Sequence, residues 1–148
     1  MRNAGRISSK CLDYIEDKIK PGITTQKIDE MCVRFLKKYN AYSAPLFYRG
    51  FPKSICTSVN HVVCHGIPSD KTLNEGDIVN VDVTSLVEGY HGDTSRTYCV
   101  GKVSVKAKNL VETTKEALDR SIKILKPGVH LGNICLLYTS PSPRDLST

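Results

Sequence analysis

The first forty residues place apolar side chains at intervals of three and four, which is the period of an α-helix. Two such stretches follow one another, and each defines one apolar helical face. They are separated by Lys20-Pro21-Gly22, because proline cannot continue a helix and glycine tolerates left-handed dihedral angles. Thr24 or Thr25 can cap the second helix. The faces expected to be buried are Ile7, Cys11, Leu12, Ile15 and Ile19 in the first helix and Ile28, Met31, Cys32, Phe35 and Leu36 in the second.

Between residues 41 and 101 the apolar period shortens towards two, which is typical of β-strands. Strands are predicted at 54–58, 78–86 and 90–100, separated by glycine and proline. A third helix is predicted from 105 to 125, with Ser104 as its candidate cap. The order helix, helix, strands, helix predicts a layered α+β fold. The side chains of the third helix that are expected to point inward are Leu110, Val111, Ala117, Leu118, Ile122 and Leu125.

The composition fits one folded domain and excludes several classes of protein. The chain has 148 residues, of which 40% are hydrophobic, and a formal net charge of +6. Its lysines and arginines are scattered, with no basic run longer than Lys37-Lys38, so a solvated surface is favoured over a nucleic-acid groove. No apolar run approaches the ~20 residues that span a bilayer. The six cysteines form no Cys-x-x-Cys pair, which indicates reduced thiols, and we expect a cytoplasmic protein.

Two aspartates are predicted to meet on the polar face of one hairpin. Asp82 lies inside an apolar strand, where aspartate is disfavoured. If residues 88–89 form a two-residue turn, cross-strand partners sum to 177, so Asp82 faces Ser95 and Asp93 faces Thr84. Diagonal neighbours of this kind are ~7–8 Å apart, within reach of a bridging cation. A β-bulge would change the register. Spacing alone leaves metal ligation and a solvated or turn-capping carboxylate equally open.

The loop after the first predicted strand carries two histidines, His61 and His65. They are four residues apart, but the β-branched residues between them and Gly66-Ile67-Pro68 argue against a metal-binding helix. A histidine in a loop is usually structural or solvated. His65 is the better candidate for a substrate contact, because Gly66 lets the backbone and a ligand approach closely.

A short repeated sequence and an unusual C-terminal tail bear on the organisation of the chain. The sequence IKPGI at 19–23 returns as LKPGV at 125–129, which is expected if a duplicated unit starts there, although such helix stops are common. Residues 135–148 read CLLYTSPSPRDLST, and helical periodicity stops at their start. This segment is similar to a translated sequencing-library adapter, and the alternative is a disordered tail with Ser-Pro phosphorylation sites. We therefore predict a native segment 1–134 and a non-native or disordered tail 135–148.

Four motifs together make residues 1–134 resemble the N-terminal half of the type I methionine aminopeptidases. They are GFPKSICTSVN at 50–60, VCHGIP at 63–68, GDIVNVDVT at 76–84 and GDTS at 92–95. The resemblance implies the pita-bread (creatinase/aminopeptidase-like) α+β fold, of which this chain would hold only the first of two pseudo-symmetric halves. Such a duplication also accounts for the repeated Lys-Pro-Gly.

The same resemblance implies roles for individual residues. Asp82 is expected to bind one metal ion and Asp93 to bridge two. His65 is expected to be a catalytic residue that hydrogen-bonds the scissile amide of the substrate. The family takes three further metal ligands, one histidine and two glutamates, from its C-terminal half, and no residue here matches them. The residues that match the pocket for the methionine side chain are Tyr48, Phe51 and Cys56.

The implied function is removal of the initiator methionine from nascent proteins by hydrolysis with two divalent metal ions, which could be Co, Mn, Fe(II) or Zn. The expected partners are N-terminal Met peptides of nascent proteins, close to the ribosome, without nucleic acid or membrane. The full-length protein is expected to be a monomer, and the 148-residue chain alone to be inactive. The alternative is a non-catalytic pita-bread module that binds peptides or proteins, although a binder needs none of Asp82, Asp93 and His65.

Overall fold

The structure is a computed structural model, and it describes residues 1–139. The chain divides into two units, Met1–Ser104 and Val105–Thr148. The first unit contains both predicted N-terminal helices, the strands of the described chain and every residue that the sequence predicted to carry chemistry. The candidate site can therefore be described within one unit.

Two amphipathic helices supply one layer of the first unit. Helix α1 spans Arg2–Glu16 and helix α2 spans Thr25–Lys38. Of the two candidate caps, Thr24 is the N-cap of α2, and its hydroxyl accepts a hydrogen bond from the Lys27 amide at 3.2 Å. All the side chains predicted to be buried on these two faces are buried, and they belong to one hydrophobic core. The helical period alone therefore identified this layer correctly.

Four antiparallel strands form the second layer, with β3 at its centre. Strand β4 pairs with β3 along its whole length, so β1 and β2 share the other edge of β3. Strand β1 was not predicted, because two residues are too few to show a period. The strands are β1 Tyr42–Ser43, β2 Cys56–Val59, β3 Ile78–Val87 and β4 Tyr90–Cys99.

The β3–β4 hairpin has the predicted register. Val87 pairs with Tyr90, and the two turn residues between them have φ of 51° and 80°, as a type I′ turn requires. The ladder continues from there to Ile78 opposite Cys99 without a bulge. Alternate β3 side chains are buried in the same core as the helix faces, so the other side of β3 is left for polar groups. The partners around the two aspartates are those predicted: Asp82 with Ser95, and Thr84 with Asp93.

The second unit contains helices α3, Val105–Ile124, and α4, Gly132–Thr139. The prediction that the apolar face of the third helix is buried is wrong: four of the six side chains are 45–59% exposed, and the other two, Val111 and Ala117, are half-buried. Periodicity identifies the side of a helix that favours burial, but burial also needs an apolar surface opposite that side. Of the four exposed positions, three lie in α3 and one directly follows it. They are Leu110, Leu118, Ile122 and Leu125.

The structure describes only the first five residues of the predicted tail, 135–139, and they are helical. Helix α4 continues to Thr139, five residues beyond the predicted boundary at residue 134. The break in periodicity at residue 135 is therefore not the end of a helix, because Leu136, Leu137 and Tyr138 continue it before the Ser-Pro sequence begins. The rest of the predicted tail, residues 140–148, lies outside the described residues.

Asp29 of α2 holds the segment that leads into β2. Its buried carboxylate accepts hydrogen bonds from the amides of Ser54 at 2.9 Å and Ile55 at 3.1 Å. Asp29→Ala leaves two buried donors unpaired, so we expect the free energy of unfolding in urea to fall by about 2 kcal/mol. Glu30→Ala, at the exposed neighbouring position, is the control and should change it by less than about 0.5 kcal/mol. Equal losses in the two variants would contradict this role.

Candidate active site

A cleft of about 860 Å³ lies over the polar side of the sheet. Its walls come from β2, β3, β4 and the loops that precede and follow β2. Every residue for which the sequence analysis gave a role lines this one cleft, although those residues come from three strands and two loops. They are Tyr48, Phe51, Cys56, His65, Asp82 and Asp93.

Asp82 and Asp93 form the acidic centre of the cleft. They are diagonal neighbours on β3 and β4, close enough for the charge of Asp93 to act on Asp82. Burial of Asp82, together with the negative charge of Asp93, raises the pKa of Asp82 to about 6, against a smaller opposing effect of His65. A cation between the two groups would offset their repulsion.

Cys56 lies directly opposite Asp82 on strand β2 and is buried. Burial, and then the charge of Asp82, raise the pKa of the Cys56 thiol to about 11. The thiol is therefore neutral near pH 7, and a neutral thiol is neither a nucleophile nor a metal ligand. Its chemistry is that of a small apolar group, which fits the wall of a pocket for an apolar side chain.

His65 reaches the cleft because the loop that carries it packs on the backbone of β2. The Gly66 carbonyl accepts a hydrogen bond from the Thr57 amide at 2.8 Å, and the Gly66 amide donates to Ser58 Oγ at 3.2 Å. A Cβ atom at Gly66 would lie 2.1 Å from the Thr57 carbonyl oxygen. Glycine was expected here for the approach of a ligand, but the structure shows that it is required for the approach of the strand.

His65 itself has a φ of 54°, which is uncommon for a residue other than glycine. The docked loop thus holds the histidine in a conformation that a free chain rarely adopts. His61, the other histidine of the loop, does not line the cleft. The structure therefore places His65, and not His61, at the cleft, and the role of His65 stays a prediction.

Tyr48 and Phe51 lie on a tight loop between β1 and β2. The Phe47 amide donates to the Phe51 carbonyl at 2.8 Å, and the Tyr48 amide donates to the Pro45 carbonyl at 3.0 Å. Phe47 and Arg49 both have positive φ, which is uncommon for residues other than glycine. These turns bring the two aromatic rings to the same cleft as the aspartates.

Three cleft residues with polar side chains received no role from the sequence: Arg49, Thr84 and His91. Thr84 Oγ1 donates a hydrogen bond to Asp93 Oδ1 at 2.9 Å, so it orients that carboxylate. The predicted register already placed Thr84 opposite Asp93, and this contact could have been inferred from it. His91 precedes Asp93 by two positions on the same strand face, which was also a usable signal.

The donor set fits part of a metal centre. Two adjoining carboxylates offer the oxygen ligands that Mn, Fe(II), Co and Zn accept in proteins. Within residues 1–139, however, no group of three or more His, Cys, Asp or Glu side chains is arranged to hold a metal ion. The described residues thus supply two candidate ligands, and a complete centre would need others.

The fold is that of the pita-bread metallopeptidases. The crystal structure of methionine aminopeptidase from Rickettsia prowazekii matches this chain with a TM-score of 0.91 at 50% identity, covering 94% of this chain and 56% of that one. The chain belongs to metallopeptidase family M24, whose family model matches residues 1–139. The predicted fold and the predicted resemblance are confirmed, and membership of this family implies divalent metal ions.

Curated relatives agree with this assignment. The methionine aminopeptidase of Rickettsia prowazekii (strain Madrid E) is 52% identical over 134 residues, which are 90% of this chain and 52% of the relative. The methionine aminopeptidase of Escherichia coli (strain K12) is 46% identical over 136 residues, with the same shares covered. The chain spans about half the length of the curated relatives it matches. Among the described residues, no helix is long and apolar enough to cross a membrane.

Proposed function

We propose that the protein to which this chain belongs is a methionine aminopeptidase, a hydrolase that removes the initiator methionine from nascent proteins. The observation that carries the proposal is the convergence of Asp82, Asp93 and His65 in one cleft. These residues lie within a segment that is 52% identical to the Rickettsia prowazekii methionine aminopeptidase.

The two aspartates would hold the metal ions, Asp82 as a ligand of one and Asp93 as a bridge between two. When bound, divalent ions acidify a water molecule and polarise the scissile carbonyl. Asp82 is half-buried and faces another carboxyl group, so it gains more from a neighbouring cation than a solvated aspartate does. Thr84 keeps one oxygen of Asp93 occupied and thereby fixes the orientation of the carboxylate.

The remaining cleft residues would bind the substrate. His65 donates a hydrogen bond to the scissile amide, a role for which its constrained backbone pre-positions the ring. The neutral thiol of Cys56 and the rings of Tyr48 and Phe51 line an apolar pocket for the thioether of methionine.

We further infer that the substrates are N-terminal Met peptides of nascent proteins and that the protein works in the cytoplasm, close to the ribosome, as a monomer. Support for a reducing compartment comes from the free cysteines, since Cys11, Cys32 and Cys56 are buried and unbridged. The number of ions, two, and their identity among Co, Mn, Fe(II) and Zn belong to the same proposal.

The experiment has two steps. The gene is read beyond the codon for residue 134, and the full-length product is assayed for methionine release from a Met-Ala-Ser peptide with Mn or Co. A downstream histidine and two glutamates, with release that a chelator stops, are the expected result. Replacement of those ligands, with peptide binding but no release, would instead support the non-catalytic binding module.

Replacement of His65 separates a substrate contact from a metal ligand. In the full-length protein we expect His65→Ala to lower kcat roughly 100-fold with metal content unchanged, because a donor aimed at the transition state is lost. The measurement is turnover of Met-Ala-Ser together with metal analysis of the purified variant. His61→Ala, outside the cleft, is the matched control and should retain wild-type turnover. Loss of metal from His65→Ala would show that His65 is a ligand instead.

A further inference from the structure

A buried pair of serines lies directly beneath the strand segment that carries Asp93. Ser8 comes from α1 and Ser85 from β3, and both are fully buried. Ser85 is the ladder partner of Gly92, next to the pair formed by Thr84 and Asp93. The serines therefore lie on the core side of the sheet, and the aspartate lies on the cleft side.

The hydroxyl of Ser8 contacts both strands of the hairpin. Its oxygen is 2.6 Å from the Gly92 carbonyl oxygen and accepts a hydrogen bond from the Ser85 amide at 3.2 Å. Each hydroxyl has one proton to donate. Ser85 Oγ donates its proton to the Ala4 carbonyl at 3.0 Å. The proton of Ser8 has two acceptors in reach, the Gly92 carbonyl oxygen at 2.6 Å and Ser85 Oγ at 2.8 Å, and the contact with Gly92 is the shorter. The network thus ties α1 to β3 and β4 at one point.

These contacts fix two particular peptide groups. The Gly92 carbonyl belongs to the planar peptide group that ends at the nitrogen of Asp93, and the Ser85 amide belongs to the one that begins at the carbonyl of Thr84. That Thr84 carbonyl also accepts a hydrogen bond from the Ala44 amide at 3.0 Å. Ser8 therefore holds the backbone next to both members of the Thr84–Asp93 pair, whose side chains are hydrogen-bonded in the cleft.

The backbone of α1 packs closely against β4 at Gly92. A Cβ atom at Gly92 would lie 2.2 Å from the Ala4 carbonyl carbon and 2.3 Å from the Gly5 amide nitrogen, so the backbone of α1 rests directly on the strand. Glycine in this position permits the contact, and the serine hydroxyls then supply its hydrogen bonds. A shift of α1 would be transmitted to the Gly92–Asp93 peptide group.

We propose that Ser8 and Ser85 are positioning residues for Asp93, and that they hold its carboxylate where a metal ion requires it. This inference rests on the proposed function only in taking Asp93 as a metal ligand. Residues that orient metal ligands without contacting the metal typically change metal affinity about 10- to 100-fold when they are removed. Their effect reaches the metal through the strand, since neither serine lines the cleft.

The test compares Ser8→Ala, Ser8→Cys and wild type in the full-length protein, with Co(II) as the probe. We expect Ser8→Ala to raise the Co(II) dissociation constant about tenfold and to change the visible absorption spectrum of the bound ion. Ser8→Cys, which is nearly isosteric and a weaker donor, should lie between Ser8→Ala and wild type. The control is Ser121→Ala, which removes an equally buried hydroxyl that bonds only within its own helix, to the Ala117 carbonyl.

All titrations are made at a temperature at which circular dichroism shows each variant to be folded. A general loss of stability then does not change the measured dissociation constant or spectrum. A dissociation constant and spectrum of Ser8→Ala equal to those of wild type would overturn the inference. If Ser8→Ala does not fold, the same criterion is applied to Ser8→Cys. Wild type that binds Co(II) but releases no methionine would overturn the proposed function and not the role of the serines.

Discussion

Asp82→Asn in the full-length protein is expected to remove metal-dependent methionine release while the fold remains intact. Asn keeps the size of the side chain and loses the negative charge that a cation needs. Loss of one partner from a buried charge arrangement costs about 3–5 kcal/mol, which corresponds to a roughly 150- to 5000-fold loss of turnover. The measurements are metal content and turnover of Met-Ala-Ser. Wild-type turnover in this variant would exclude Asp82 as a metal ligand.

The control for this variant is Asp70→Asn, at an exposed loop position outside the cleft. It removes the same charge from the same protein, so any change in global electrostatics is matched. We expect its turnover and metal content to equal those of wild type. Equal losses in the two variants would mean that net charge, rather than the position of Asp82, controls activity.

The metal-free protein should respond to Asp82→Asn in the opposite direction. Burial, and then repulsion by the charge of Asp93, raise the pKa of Asp82, so its ionised form is unfavourable in the metal-free fold. Removal of one charge at pH 7 should therefore stabilise the metal-free fold, by about 1 kcal/mol in chemical unfolding. An aspartate retained for stability would give a loss instead, so the sign of the change separates a binding role from a structural one.

The second large effect concerns the 148-residue chain itself, which should release no methionine and bind Mn or Co only weakly. Its described residues bring two carboxylates together and no third ligand. A metal centre binds through all its ligands at once, and two facing carboxylates without the others mainly repel. The measurement is methionine release from Met-Ala-Ser by the purified chain with excess Co or Mn. Steady metal-dependent release would show that other residues form the site.

Addition of the missing ligands should reverse this result. We expect the full-length protein, or this chain mixed with a separately expressed C-terminal half, to release methionine where the chain alone does not. The matched control is the same mixture with Asp82→Asn in this chain, which should remain inactive because the added half cannot replace that ligand. Activity in the control mixture would assign the whole centre to the added half.

The sequence determined the N-terminal helices and the central hairpin, because each depends on information within a few residues. The helical period selected the buried faces of α1 and α2, and all of the predicted positions are buried. The two-residue turn at 88–89 fixed the register, and that register placed Asp82 and Asp93 on one face as observed. The recognition of the family followed from the motifs around these same residues.

Tertiary structure decided the contacts that join distant parts of the chain. The approach of the His65 loop depends on Gly66 packing against the Thr57 backbone, and the contact of Ser8 with Gly92 spans 84 positions. The exposure of the apolar face of α3 depends on what lies opposite it. Period and turn type are set by local backbone preferences, whereas these contacts are set by the packing of separate elements, which no short stretch of sequence encodes.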